Sequence, residues 1–303
     1  VRFHRVKAAR QYANSNPREL FLQEMTSHLR AGGDRARVIA VNSMPRIAIL
    51  SDIHSNLHAL EAVLEDAAAC GVDGLAFGGD TVGYGAFPGA CVDRVMATGA
   101  PCVLGNHDHY VGRLESQLDI LETDPEVTNN PVWMGIAHSI RETTGTPRMD
   151  WLRDLPMLLR LPGAILAHAA LHDMEDWPYI TDAGVATRTL ALLDEPIGFF
   201  GHSHLTRLFF DKSRPARPRW VDRTRIQIPS DGRCALTVGS VGQPRDGDTN
   251  ASWVIWDSDA LIVELKRTPY PQIEAARAIL ETGLPAHSAR RLLPTATPLP
   301  SWK

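Results

Sequence analysis

Leu104-Gly105-Asn106-His107-Asp108 is the stretch around which the chain is organised. The apolar run Pro101 to Leu104 leads into it, and the same arrangement recurs elsewhere. Asp52-Ile53-His54 follows Arg46 to Leu50, and Gly78-Gly79-Asp80 follows Gly74 to Phe77. His168 follows Ala164 to Ala167, and Gly201-His202-Ser203-His204 follows Ile197 to Phe200. Each polar motif thus stands at the end of a short β-like run.

Between the first runs lie helical patterns. Leu57 to Cys70 is rich in alanine and leucine and is closed by Gly71, a common helix stop; Phe87 to Ala97 is a second helix. Strand, helix, strand, helix, strand predicts parallel pairing with crossovers, an α/β sheet. Such sheets bind ligands beyond the carboxyl ends of their strands, where Asp52, Asp80 and Asn106 fall.

Residues 109–160 break this rhythm. Pro131 to Arg141 and Pro147 to Leu155 read as helices with a proline in the first turn, so the segment is expected to be a helical insertion. Its Trp133, Met134, Trp151, Leu152 and Leu155 would serve either as core or as a roof over the site. After it come the β-like runs Leu205 to Phe210, Arg225 to Ile228, Ala235 to Val238, Ser252 to Trp256 and Leu261 to Leu265, read as hairpins of a second sheet. Residues 271–282 form a late helix ended by Gly283, and residues 286–303, with Pro294, Pro298 and Pro300, are expected to be a flexible tail. Met44 directly precedes the first convincing strand. Residues 1–43 are therefore expected to be a poorly ordered or non-native extension, with the main domain at 44–285.

The 303 residues are 44% hydrophobic and 22% charged, a composition fit for a globular enzyme. Residues 1–43 hold eight Lys/Arg and three Asp/Glu, a net of +5, so with −4 overall the rest of the chain carries −9. A body so acidic lacks the basic stripe expected for long nucleic acid, and bound divalent ions would supply the positive charge an anionic substrate needs. Cys70, Cys91, Cys102 and Cys234 form no CxxC pair and read as reduced thiols of a cytoplasmic protein. No window approaches the roughly 20 apolar residues of a membrane span, and no signal-peptide pattern is present.

Taken singly the motifs are weak, since Asp-x-His and Gly-Gly-Asp are common and a histidine at a strand end is usually a core residue. Their order is what carries information. Carboxylates, an asparagine carbonyl and imidazoles make an oxygen and nitrogen ligand set suited to manganese first, with iron, zinc or nickel as alternatives, and no thiolate is offered. A carboxylate can bridge two ions, and Asp80 is the natural bridge. Two ions clamp a displacement at phosphorus and lower the pKa of a shared water, while a histidine near neutrality protonates the departing alkoxide.

The series DIH, GGD, GNHD, the histidine of AHAAL and GHSH, in this order from about Met44 to Leu265, resembles the calcineurin-like metallophosphoesterase superfamily. GDTVGYG and GSVGQPRDGD further resemble its bacterial branch of small phosphodiesterase-like members. The resemblance implies a four-layer αββα sandwich of two mixed β-sheets flanked by helices. It also implies that Asp52, His54 and His204 hold one metal, that Asn106, His168 and His202 hold a second, and that Asp80 bridges. His107 would be the proton donor in attack by a metal-bound hydroxide. The protein phosphatases of the superfamily carry GDxVDRG and GNHE, so the GDTVGYG and GNHD of this chain disfavour proteins as substrates. Ala169-Ala170-Leu171-His172-Asp173 departs from the usual His-Gly-Ser/Thr-Pro, which leaves His172 as a competitor of His168.

The expected reaction is hydrolysis of a phosphodiester or of a small phosphorylated, nucleotide-like substrate. Phosphomonoester or serine/threonine phosphatase-like activity is the nearest alternative, and a non-catalytic scaffold on the same fold is another. Asn56 and Arg245 are candidate substrate contacts, Arg245 because a guanidinium grips two oxygens at once. Tyr84, His109 and Gln243 lie near the motifs as further candidates.

Overall fold

Ile47 and Ile49 turn to one side of the first strand and Ala48 and Leu50 to the other, and all four are buried. A strand apolar on both faces must be covered on both, and that requirement sets the layers. The structure, a computed structural model, describes residues 36–37, 45–124, 128–211, 217–219, 224–230 and 232–300. The proposed extension at 1–43 lies outside the described residues except for positions 36–37.

In chain order the first half runs β1 (Ala36–Arg37), β2 (Arg46–Leu50), α1 (Leu57–Ala69), β3 (Gly74–Phe77), α2 (Pro88–Thr98), α3 (Asn106–Arg113), α4 (Leu118–Thr123), α5 (Pro131–Thr143) and α6 (Pro147–Arg153). There follow β4 (Leu158–Leu161), β5 (Ala164–Ala167), α7 (Ala183–Leu192), β6 (Ile197–Phe200), β7 (Thr206–Phe210) and β8 (Arg217–Arg219). The chain continues with β9 (Arg225–Gln227), β10 (Cys234–Val238), β11 (Ala251–Asp257), β12 (Ile262–Thr268), α8 (Gln272–Glu281) and α9 (Ala286–Arg290).

The strands form two mixed sheets, one ordered β3-β2-β11-β12-β9 and the other β1-β4-β5-β6-β10-β7-β8. In the first, β2 pairs parallel with β3 and antiparallel with β11. In the second, β6 pairs parallel with both β5 and β10, and β10 pairs antiparallel with β7. The inner faces meet through Ile47, Ile49, Val254 and Trp256 of one sheet and Leu166, Phe199, Leu236 and Val238 of the other. Outside the first sheet, Ala48, Leu50, Trp253 and Ile255 pack with residues of α1, α2 and α8; outside the second, Ile165, Ala167 and Phe200 pack with Ala186 and Leu190 of α7. This is the expected four-layer αββα sandwich.

Several boundaries differ from expectation. The run Pro101 to Leu104 makes a single parallel bridge, Phe77 with Cys102, instead of a full strand. The stretch 109–160 is helical only as far as Arg153 and ends in β4, where Leu159 and Leu161 face the inter-sheet core. The β-rich C-terminal half does not build one new sheet: β7 and β10 extend the sheet of β6, whereas β9, β11 and β12 extend that of β2. Residues 286–300 are not a loose tail, because α9 forms there and Ala289, Leu292 and Leu293 are buried against the helical side of the core. A short apolar pair suffices to dock a segment whose prolines alone would read as unstructured.

Candidate metal centre

The polar motifs converge because each follows a strand of one of two sheets whose ends open on the same side. Asp52 and His54 leave β2, Asp80 leaves β3, His168 leaves β5, and His202 and His204 leave β6. Asn106 and His107 are supplied differently, as the first residues of α3. The backbone is bent hard here. Asp52, His54, Asp80, His202 and His204 all have φ between 49° and 65°, the left-handed region that non-glycine residues avoid at a cost of about 1–3 kcal/mol each. Gly79 and Gly105 let two of the loops touch: a Cβ at Gly79 would sit 2.7 Å from the Gly105 nitrogen.

Two sets of ligand atoms result. His54 Nε2 is 2.9 Å from His204 Nε2 and 3.8 Å from Asp52 Oδ1, and His204 Nε2 is 3.3 Å from the same Asp52 oxygen. On the other side His168 Nε2 is 3.3 Å from Asp80 Oδ2 and 3.1 Å from Asn106 Oδ1, and His202 belongs to the same group. Asp80 Oδ2 is also 3.6 Å from His54 Nε2, so one carboxylate oxygen faces both sets. Ligands about 2.0–2.2 Å from a shared ion lie about 3–3.5 Å from one another, and the separations here run from 2.9 to 3.8 Å, around that range.

The remaining imidazole nitrogens hold the rings in place. Nδ1 of His54 faces Val82 O at 3.1 Å, that of His168 faces Gly78 O at 2.7 Å, and that of His204 faces Gln243 O at 2.7 Å. Such contacts fix the tautomer that leaves Nε2 free for an ion. His202 hydrogen-bonds the backbone of Trp177, and its Nε2 is buried without a partner. An orphaned imidazole nitrogen aimed into a cluster of carboxylates is what a divalent cation would satisfy.

Burial pushes His54 and His204 well below the ordinary imidazole value and His202 down to about 3, so all three are neutral, the form that ligates a metal. Burial also pushes Asp52 up to about 7, and the Asp80 charge adds to the effect. Burial acts the same way on Asp80, but His168 and His107 outweigh it and hold that carboxylate well below its usual range. Burial opposes charge on His168 as well, yet Asp80 and Asp52 lift it to about 9.

The other candidates separate clearly. His107 falls in one group with His54 and Asp80, close enough to be a ligand, and its Nδ1 is buried beside Gly83 without a partner. Asp108 accepts from Val82 N at 3.2 Å and from Gly105 N at 3.1 Å, so it braces the loop. His172 is not in the cluster and lies 3.0 Å from Arg188 Nη2. The side chain of Asn56 is engaged within the fold: its Oδ1 caps α1 by accepting from Ala59 N at 3.1 Å, and its Nδ2 donates to Gly242 O at 2.9 Å. Arg245 lies at the rim, its guanidinium 5.8 Å from the Tyr84 ring centroid.

An aromatic collar was not anticipated in full. Tyr179, 49% exposed, stacks on His202 with ring centroids 3.7 Å apart, and Trp177 lies edge-on to His168 at 5.8 Å. Trp133 of the helical segment packs against Tyr110, which lies 5.5 Å from Trp133 and 6.4 Å from His107. The signal for the collar was Trp177-Pro178-Tyr179, polar-tipped aromatics shortly after a strand-end histidine.

The model of the calcineurin-like phosphoesterase family matches residues 45–206. An uncharacterized protein of Methanocaldococcus jannaschii, MJ0912, is 31% identical over 250 residues, which are 81% of this chain and 96% of that protein. The chain belongs to the calcineurin-like phosphoesterase family. A metallophosphoesterase from Sphaerobacter thermophilus has a similar structure, with a TM-score of 0.70 and 33% identity over 82% of this chain and 98% of the other. A hypothetical protein from Pyrococcus horikoshii shares the fold at 15% identity, with a TM-score of 0.64 over 84% of this chain and 99% of that one. Membership in the calcineurin-like phosphoesterases and the buried His/Asp groups together support metal-dependent hydrolysis of phosphoesters. Among the described residues no helix is long and apolar enough to cross a membrane.

Proposed function

We propose that this phosphoesterase uses two divalent ions, manganese by preference, to hydrolyse a phosphodiester or another small phosphorylated substrate. The observation that carries the reading is Asp80 Oδ2, which faces His168 Nε2 at 3.3 Å and His54 Nε2 at 3.6 Å and so belongs to both ligand sets. Asp52, His54 and His204 with Asp80 would hold one ion, and Asn106, His168 and His202 with Asp80 the other. Ions held there supply charge neutralisation at the phosphoryl oxygens and a water of lowered pKa.

The chain's own groups complete the reaction. The water oxygen bonds to phosphorus as the ester P–O bond breaks, and a ring N–H of His107 gives its proton to the departing oxygen. Arg245, at the rim beside Tyr84, takes a non-reacting phosphoryl oxygen. Three of the four free cysteines are buried, which fits the reducing cytoplasm as the site of action.

The test is reconstitution of metal-free protein with manganese, followed by metal analysis and assay with bis-p-nitrophenyl phosphate and p-nitrophenyl phosphate. Two ions per chain and faster cleavage of the diester are expected. One ion per chain would end the dinuclear reading. No turnover with manganese, iron, zinc or nickel would leave a scaffold.

A further inference from the structure

A narrow cleft beside the metal centre is lined by His54, by the start of α1, by Gln243 and by Ile279 and Leu292 of the C-terminal segment. Three of its lining residues carry a buried side-chain atom with no hydrogen-bond partner among the described residues: Ser55 Oγ, His58 Nδ1 and Gln243 Nε2. Ser55 and Gln243 are 0% and 1% exposed, so solvent at the surface does not satisfy them. The side chains of Phe87, Ile279 and Leu292 complete the lining with carbon and offer these atoms nothing.

The polar groups are held in place. Ser55 N–H donates to Thr81 O at 3.0 Å and Ser55 O accepts from Phe87 N–H at 3.0 Å, which pins the backbone that carries the hydroxyl. The His58 ring packs on Phe87, with centroids 5.7 Å apart. Gln243 O faces His204 Nδ1 at 2.7 Å, and Gln243 Oε1 accepts from Arg245 Nη2 at 2.9 Å. A guanidinium only donates, so the amide atom it meets is the oxygen and the atom left over is the NH2 group, which needs an acceptor. Space then selects what can enter. The cavity volume is about 10 Å³, room for one water-sized group. A methyl group has that size but leaves all three atoms unpaired, and an ammonium group cannot accept from Gln243. A hydroxyl accepts from the amide and gives its own proton to Ser55 Oγ or His58 Nδ1.

We infer that Ser55, His58 and Gln243 form a subsite for one hydroxyl group of the alcohol esterified to the phosphate, and so select esters of a diol or polyol. The inference rests on the phosphoesterase reading, because His54, which lines the cleft, is one of the residues that would place the phosphoryl group beside it. A site built around buried polar atoms discriminates by what it leaves unpaired, and an ester with a methyl group in place of the hydroxyl strands all three.

Calorimetric titration of the manganese-loaded protein with hydroxyalkylphosphonates of two, three and four carbons reads the subsite without turnover, since their P–C bond is not an ester. Each is compared with the alkylphosphonate in which a methyl group replaces the hydroxyl. At one chain length the hydroxylated ligand should bind about tenfold or more tightly than its methyl counterpart, and Ser55→Ala and Gln243→Met should each bring that ratio close to unity. Thermal melts show whether each variant is folded, and should one not fold, the other decides. Equal binding within every pair overturns the proposal and leaves the cleft to water alone. No binding of any phosphonate overturns it too, as does a preference that survives both substitutions. A parent that shows the preference but hydrolyses no ester ends the phosphoesterase reading and leaves the subsite standing.

Discussion

Asp80 divides its two oxygens between structure and chemistry. Oδ1 accepts the backbone N–H of His107 at 2.8 Å and so anchors the first turn of α3, where a helix presents unpaired donors and a positive dipole end. Oδ2 is left to face both ligand sets. The position of His107 therefore follows from Asp80, and its ring is delivered to the cleft by the same carboxylate that would bridge the ions. His107→Ala should reduce turnover by about 10²-fold or more. Metal content measured by emission spectroscopy should stay at the parental value, because Asp52, His54, Asp80, Asn106, His168, His202 and His204 remain. A variant that loses an ion along with its activity would make His107 a ligand, as its grouping with His54 and Asp80 also allows.

At the scale of the elements, the C-terminal helices matter more than their composition indicated. Leu292 and Leu293 are 2% and 4% exposed, packed into the cluster that also holds residues of α1 and α8. Leu292→Ala should lower unfolding stability by about 2–5 kcal/mol, the range for a buried leucine that leaves a cavity. Chemical denaturation checks this, and a loss near zero would mean that the segment docks weakly. The strands carrying Asp52, Asp80, His168 and His202 were legible in the sequence because short apolar runs ending in polar residues have few other interpretations. The start of α3 was not: Asn106 to Arg113 is mostly polar, and its helix depends on the Asp80 anchor and on burial of Val111 rather than on an apolar period. Nor could sequence show that five ligand candidates adopt positive φ, since no glycine marks those positions. Asn56 looked like a phosphate contact because it follows DIH, yet the helix beginning at Leu57 claims its side chain as a cap.

At the scale of the whole molecule, the centre is a concentration of polar groups that the sandwich buries at the meeting of its two sheets. Asp52, Asp80, Asp108 and His168 are each at most 1% exposed, in a chain whose residues after 43 sum to −9. Desolvating carboxylates without a full complement of cations costs stability, and ions that bind only the folded chain return it by mass action. At manganese concentrations about 100-fold above the dissociation constant, each site contributes about 2.7 kcal/mol, hence about 5 kcal/mol for two. For a chain of this size that corresponds to a rise in Tm of roughly 10 °C over chelated protein. Magnesium at the same concentration should give a much smaller rise, because it prefers an all-oxygen shell with retained water to an imidazole-rich site. Thermal melts of chelated protein with manganese, with magnesium and with neither test both statements. Equal shifts for the two metals would show that the stabilisation comes from surface carboxylates, since among the described residues the groups of imidazoles and carboxylates in ligand reach of one another all belong to the buried centre.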